Sequence, residues 1–151
     1  MKVDIGRRGF LGLAAASLIA CSTAEQAPRL VRVHKSPTCG CCGDWVTHLR
    51  QNGFEAEVHE IDDLEPIALR LGVPEQLRSC HTGEIGGYFV EGHVPAADIQ
   101  RLLAERPNAL GITVPGMPMG SPGMDRGPVR QPYQTLLVDR SGTPSVFANH
   151  G

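Results

Sequence analysis

Apolar and polar positions alternate over Leu30-Val31-Arg32-Val33-His34, predicting a strand with Val31 and Val33 on one face. After a loop crowded with cysteine, Trp45, Val46 and Leu49 recur at helical spacing until Asn52-Gly53 stops the helix. Phe54, Ala56 and Val58 then alternate with Glu55, Glu57 and His59, a second strand. Strand, helix, strand in about 30 residues is a βαβ unit, which brings a right-handed crossover. A short helix is marked by Pro66 near its start and Gly72 past its end. The acidic positions Glu60, Asp62, Asp63 and Glu65 around its start form a solvated face. Two short strands flank Gly86-Gly87, a tight hairpin signal. Val94-Pro95 opens a third helix with Ile99, Leu102 and Leu103 on one side, ending near Pro107. Gln134–Asp139 and Pro144–Ala148, joined through Arg140-Ser141-Gly142-Thr143, read as a closing hairpin.

The order βαβα, hairpin, α is that of an α/β thioredoxin-like domain, assigned to residues 30–106. In such a domain the segment entering the hairpin faces the cysteine loop. Residues 107–151 are expected to be a C-terminal extension packed on the same domain. Six prolines and five glycines fall between Pro107 and Tyr133, so this stretch is expected to lack regular structure.

The N-terminus changes the setting. Arg7-Arg8 precedes Gly9-Phe10-Leu11 and an apolar run to Ala20, the layout of a secretory signal over residues 1–20. The paired arginines look like a twin-arginine signal, although Gly6 stands where Ser or Thr is usual. The run is shorter than the roughly 20 residues of a membrane span. Leu18-Ile19-Ala20-Cys21 resembles a bacterial lipobox, in which cleavage leaves Cys21 as a lipidated terminus on a tether over residues 21–29. Ordinary signal cleavage nearby is the alternative. Without residues 1–20 the chain carries 11 basic and 15 acidic side chains, a net charge of −4. With one Trp, two Tyr and no basic cluster, it has no electrostatic footprint for nucleic acid.

The chemistry concentrates in Lys35-Ser36-Pro37-Thr38-Cys39-Gly40-Cys41-Cys42-Gly43. Cys39 and Cys42 have the C-x-x-C spacing of a redox pair, in which one thiolate attacks and the other resolves. Cys41 is surplus to that switch, and a vicinal bond to Cys42 would be strained. Three thiolates converging from one turn suit a soft metal ion, and a helix N-terminus at Cys42 favours negative sulfur. A structural disulfide with one thiol left over is the simpler reading, and both stay open. Ser79-Cys80-His81-Thr82 offers a fourth thiol and, in His81, a further nitrogen ligand. Met117, Met119 and Met124 lie in a Pro/Gly-rich stretch that cannot present a core face, so thioether ligation competes with simple loop anchoring. His34, His48, His59 and His150 read as surface residues from their polar neighbours. His93, just before the third helix, is a weaker candidate ligand.

Taken with Glu91-Gly-His-Val-Pro95, Val114-Pro-Gly-Met117 and Gly120-Ser-Pro-Gly-Met124, these motifs make the chain resemble the CopG-like copper-resistance family over residues 30–148. The resemblance implies a periplasmic thioredoxin-like domain with a metal-binding extension, handling copper and interconverting Cu(I) and Cu(II). The family's C-x-C-C motif falls on Cys39, Cys41 and Cys42, its additional cysteine on Cys80, and its recurrent methionines on Met117 and Met124. Thiolates and thioethers are soft donors that prefer Cu(I), and neighbouring thiolates can bridge several ions into a cluster. The expected protein is a monomer that meets membranes only through its lipid anchor and exchanges copper with periplasmic efflux or chaperone proteins. The alternatives are a thiol–disulfide oxidoreductase working through Cys39 and Cys42, and a zinc-binding module on the four cysteines.

Overall fold

The computed structural model describes residues 29–151. The signal, the lipobox and Cys21 lie outside the described residues. Leu30–Lys35 forms β1, Gly40–Gln51 α1 and Glu55–Glu60 β2, with β1 and β2 parallel in the register Val31 to Ala56 and Val33 to Val58. The turn between α1 and β2 works because Gly53 takes a φ of +83°, where a side chain is strained. That lets the Phe54 N–H return to the Leu49 carbonyl. Glu65–Leu71 is α2, followed by a 3-10 turn at Glu75–Leu77. His81–Ile85 (β3) and Tyr88–Gly92 (β4) pair antiparallel around Gly86 and Gly87, both with positive φ as a two-residue hairpin turn demands. Ala96–Glu105 is α3.

The remaining strands are β5 (Ala109–Val114), β6 (Tyr133–Asp139) and β7 (Pro144–His150). All seven join one sheet in the order β2-β1-β3-β4-β5-β6-β7. Strand β5 corrects the expectation that residues 107–133 lack regular structure. Proline is confined to either side of Ala109-Leu-Gly-Ile-Thr-Val114, and this proline-free island lies parallel to β4 and antiparallel to β6. Averaged over the whole window, the proline count hid it.

One core lies where Trp45, Val46 and Leu49 of α1 and Ile99, Leu102 and Leu103 of α3 meet Val31, Val33, Val90, Ile112 and Val114 of the sheet. Each fully buried Leu, Ile or Val here contributes about 1.5–3 kcal/mol relative to exposure. A smaller cluster gathers Ala68 of α2 with Val73, Leu77, Phe89 and Val138. Trp45 is wholly buried, and its indole N–H donates to the Val94 carbonyl (2.8 Å), tying α1 to the lead-in of α3. His34 is buried, against the surface expectation, because Glu84 on β3 supplies a carboxylate 2.9 Å from its Nε2 and Arg70 of α2 binds the same carboxylate. No helix among the described residues is long and apolar enough to cross a membrane.

Candidate metal centre

Strand β1 ends at Lys35, and a turn closed by the Cys39 N–H on the Ser36 carbonyl (3.2 Å) delivers the chain to the start of α1. Cys39 is the residue preceding the first helical turn, and Cys41 and Cys42 lie within that turn. The helix thus begins inside the cysteine motif rather than after it. The spacing i, i+3 puts Cys39 and Cys42 on one side, and the two are joined as a disulfide with Cα atoms 5.4 Å apart. Cys41 and Cys80 are free thiols. Cys41 Sγ lies 3.5 Å from Cys39 Sγ, and Cys42 Sγ lies 3.5 Å from the Cys80 carbonyl oxygen. All four sulfurs fall within 4.8 Å of one another, a cluster capable of holding metal.

Cys80 arrives from the segment entering β3, which a buried carboxylate pins. Glu91 on β4 is 1% exposed; its Oε1 accepts the Ser79 N–H and its Oε2 the Thr82 hydroxyl, each at 2.6 Å. Burial pushes the Glu91 carboxyl up to about 7, opposed by these two hydrogen bonds. Burial first, then the neighbouring Cys41, pushes the Cys80 thiol up to about 12, so without metal it holds its proton.

Two imidazoles converge on that thiol. His93 Nε2 lies 3.1 Å and His81 Nδ1 3.3 Å from Cys80 Sγ. His93 Nδ1–H donates to the Pro122 carbonyl (2.8 Å), which fixes the tautomer that leaves the Nε2 lone pair facing sulfur. His81 is wholly buried, its ring 4.3 Å from the Trp45 ring and 5.0 Å from that of His93. Its Nε2 finds no hydrogen-bond partner. Burial drives His81 down to about 3 and also lowers His93, so both rings are neutral and able to donate lone pairs. Cys80, His81 and His93 form a second group with donor atoms within 4.8 Å, sharing Cys80 with the four-sulfur cluster.

Residues 115–132, between β5 and β6, cover the start of α1. Gly123 (φ +84°) sits so close that a Cβ there would lie 2.8 Å from both the Cys41 carbonyl oxygen and the Trp45 amide nitrogen. The Ser79 hydroxyl reaches the Gly116 carbonyl (2.7 Å), and Arg126 pairs with Asp44. Met124 is half-buried beside Gly123, Met119 is half-buried, and Met117 is 52% exposed. The other histidines take different partners. His48 Nε2 accepts the Ala96 N–H (3.0 Å), His59 stacks on His34 (5.1 Å), and His150 contacts Asp98 (2.8 Å).

The structure therefore gathers Cys39, Cys41, Cys42, Cys80 and His81, and brings His93, the weaker candidate from sequence, to the same sulfur. The signal for His93 was the hairpin itself. Counting outward from Gly86-Gly87 pairs Thr82 with Glu91 and, two residues further, brings His93 opposite Cys80.

A family model described as "Protein of unknown function, DUF411" matches residues 77–124. Two solved structures described as copper resistance protein CopG, form 1 and form 2, are similar to this chain. The first is 50% identical, covers 82% of this chain and 98% of its own, with a TM-score of 0.77. The second is 48% identical, covers 83% and 100%, with a TM-score of 0.78. No curated protein matches.

Proposed function

Because the chain belongs to the CopG-like copper-resistance family, we propose that it is a periplasmic copper-binding protein that holds Cu(I) on Cys39, Cys41, Cys42 and Cys80. The observation that carries this reading is the convergence of four sulfurs within 4.8 Å, from two segments about 40 residues apart. Four thiolates suit Cu(I), and bridging between neighbours lets more than one ion share them. Met117 and Met124 are assigned as thioether caps and His81 as an auxiliary ligand. The packing of Gly123 on the Cys41 carbonyl supports Met124 more than the exposed Met117.

Cys39 and Cys42 give the site a redox partner for its cargo. Closing their disulfide forms one S–S bond and releases two protons and two electrons, which convert two Cu(II) ions to two Cu(I). Opening it runs the same exchange backwards. The bonded pair beside two free thiols supports this assignment. A thioredoxin-like reading of residues 30–106 is supported by the strand order β2-β1-β3-β4, with β1 parallel to β2 and antiparallel to β3. Residues 107–151 supply the covering loop. The arginine pair and Leu18-Ile-Ala-Cys21 support export and lipid anchoring through Cys21, leaving the domain facing periplasmic efflux or chaperone proteins.

The test is Cu(I) titration of the reduced protein against a chromophoric Cu(I) chelator. The expected result is withdrawal of copper from the chelator, with lower stoichiometry in Cys41→Ser and Cys80→Ser. A colourless protein that carries one zinc and leaves the chelator loaded would overturn the reading. The Cys39–Cys42 disulfide at a helix start also favours a second reading, a thiol–disulfide oxidoreductase. Catalysis of insulin reduction without copper would favour it.

A further inference from the structure

We propose that Cys80, His81 and His93 form a second, mononuclear copper site, which keeps one ion bound when Cys39 and Cys42 are locked as a disulfide. The inference rests on the copper-binding reading above and deepens it. Oxidising Cys39 and Cys42 removes two of four thiolates from the sulfur cluster, so copper held there loses half its donors. The second donor set is untouched by that oxidation, because its members are one free thiol and two imidazoles.

The geometry is that of a prepared site. Both nitrogens facing Cys80 Sγ, at 3.1 and 3.3 Å, come from wholly buried rings. His93 is oriented by a backbone carbonyl on its far nitrogen, the arrangement that commonly aims a ligating histidine. His81 is harder to account for without a metal. It is wholly buried against Trp45, where an apolar side chain would fill the space without taking ring nitrogens out of water. Its Nδ1 points at sulfur. One thiolate with two imidazoles is the trio that holds both Cu(II) and Cu(I) in electron-transfer copper sites, whereas four sulfurs favour Cu(I) alone. Sharing Cys80 lets an ion pass from one donor set to the other by exchanging ligands around a single sulfur.

The test uses the chain in its disulfide form, with the Cys39–Cys42 bond verified by mass after alkylation. Co(II), which does not oxidise thiols, is the probe. Wild type is expected to take one equivalent with a sulfur-to-cobalt charge-transfer band. X-ray absorption of that form, which needs no variant, should read one sulfur and two histidine nitrogens. Cys41→Ser should keep the band. His93→Gln should weaken Co(II) binding by more than about 100-fold, since even changes around a ligand cost about 10–100-fold. The same variant, once reduced, should still take Cu(I) on its cysteines. If reduced wild type takes Cu(I) but its disulfide form binds no Co(II), this proposal falls and the four-sulfur reading stands. It falls equally if Cys41→Ser abolishes the band while His93→Gln keeps it. If reduced wild type takes no Cu(I), the copper-binding reading itself fails.

Discussion

Gly123→Ala tests whether the covering loop is held against the start of α1. At a φ of +84° an alanine costs about 1–2 kcal/mol for its left-handed backbone alone. Its Cβ would also meet the Cys41 oxygen and the Trp45 nitrogen, both backbone atoms at 2.8 Å. Neither can swing aside as a side-chain tip would, so overpacking adds about 1–3 kcal/mol. Gly127 is the internal control: its φ is +90°, but nothing lies within 4 Å of the added Cβ. Gly127→Ala should therefore carry only the backbone term. The difference of about 1–3 kcal/mol corresponds to a Tm lower by roughly 4–12 °C, at about 4 °C per kcal/mol for a domain of this size. A loop that lifts to relieve the clash would recover stability but carry Met124, the proposed thioether cap, away from the start of α1, and Cu(I) competition would then weaken. Thermal melts and chelator titrations of both variants decide it. Identical behaviour of Gly123→Ala and Gly127→Ala in both assays would refute the packing argument.

Met117→Leu and Met124→Leu conserve volume and apolarity, so stability should fall by less than about 1.5 kcal/mol in each. Copper stoichiometry or affinity should drop if the thioethers are ligands, more for half-buried Met124 than for exposed Met117. Unchanged titrations for both would leave the copper to cysteine and histidine. For the anchor, Cys21→Ala should move the protein from membranes to the soluble periplasmic fraction, and equal membrane association of both forms would remove the lipoprotein assignment.

Much of the fold was legible because its signals are local. Alternation drew β1 and β2, the Trp45, Val46 and Leu49 spacing drew α1, and Gly86-Gly87 drew the β3–β4 hairpin. The strand β5 was missed because composition was weighed over a window wider than the strand. His34 was misjudged because its burial depends on Glu84, fifty residues later in the chain. Likewise, the sequence left open whether Cys39 and Cys42 join, since spacing permits a disulfide, a redox pair and shared metal ligation alike. The meeting of Cys80 with the motif could be argued from element order. The place of His93 followed only from the hairpin register, and its orientation needed Pro122, from a loop nothing local could dock.

Strands β5 and β6 are antiparallel neighbours, so residues 115–132 are topologically an oversized hairpin turn whose two stems are fixed by the sheet. Lengthening such a connection is cheap, about 0.6 kcal/mol for each doubling. The stems contribute to the core through Ile112, Val114 and Val138, whereas most of the loop between them does not. At the exposed positions of this turn, Met117 among them, insertions and exchanges are thus nearly invisible to folding, unlike changes at Gly123. Under the proposed copper-binding function, selection can therefore retune how tightly the metal is capped while the β-sheet and the cysteines beneath stay as they are.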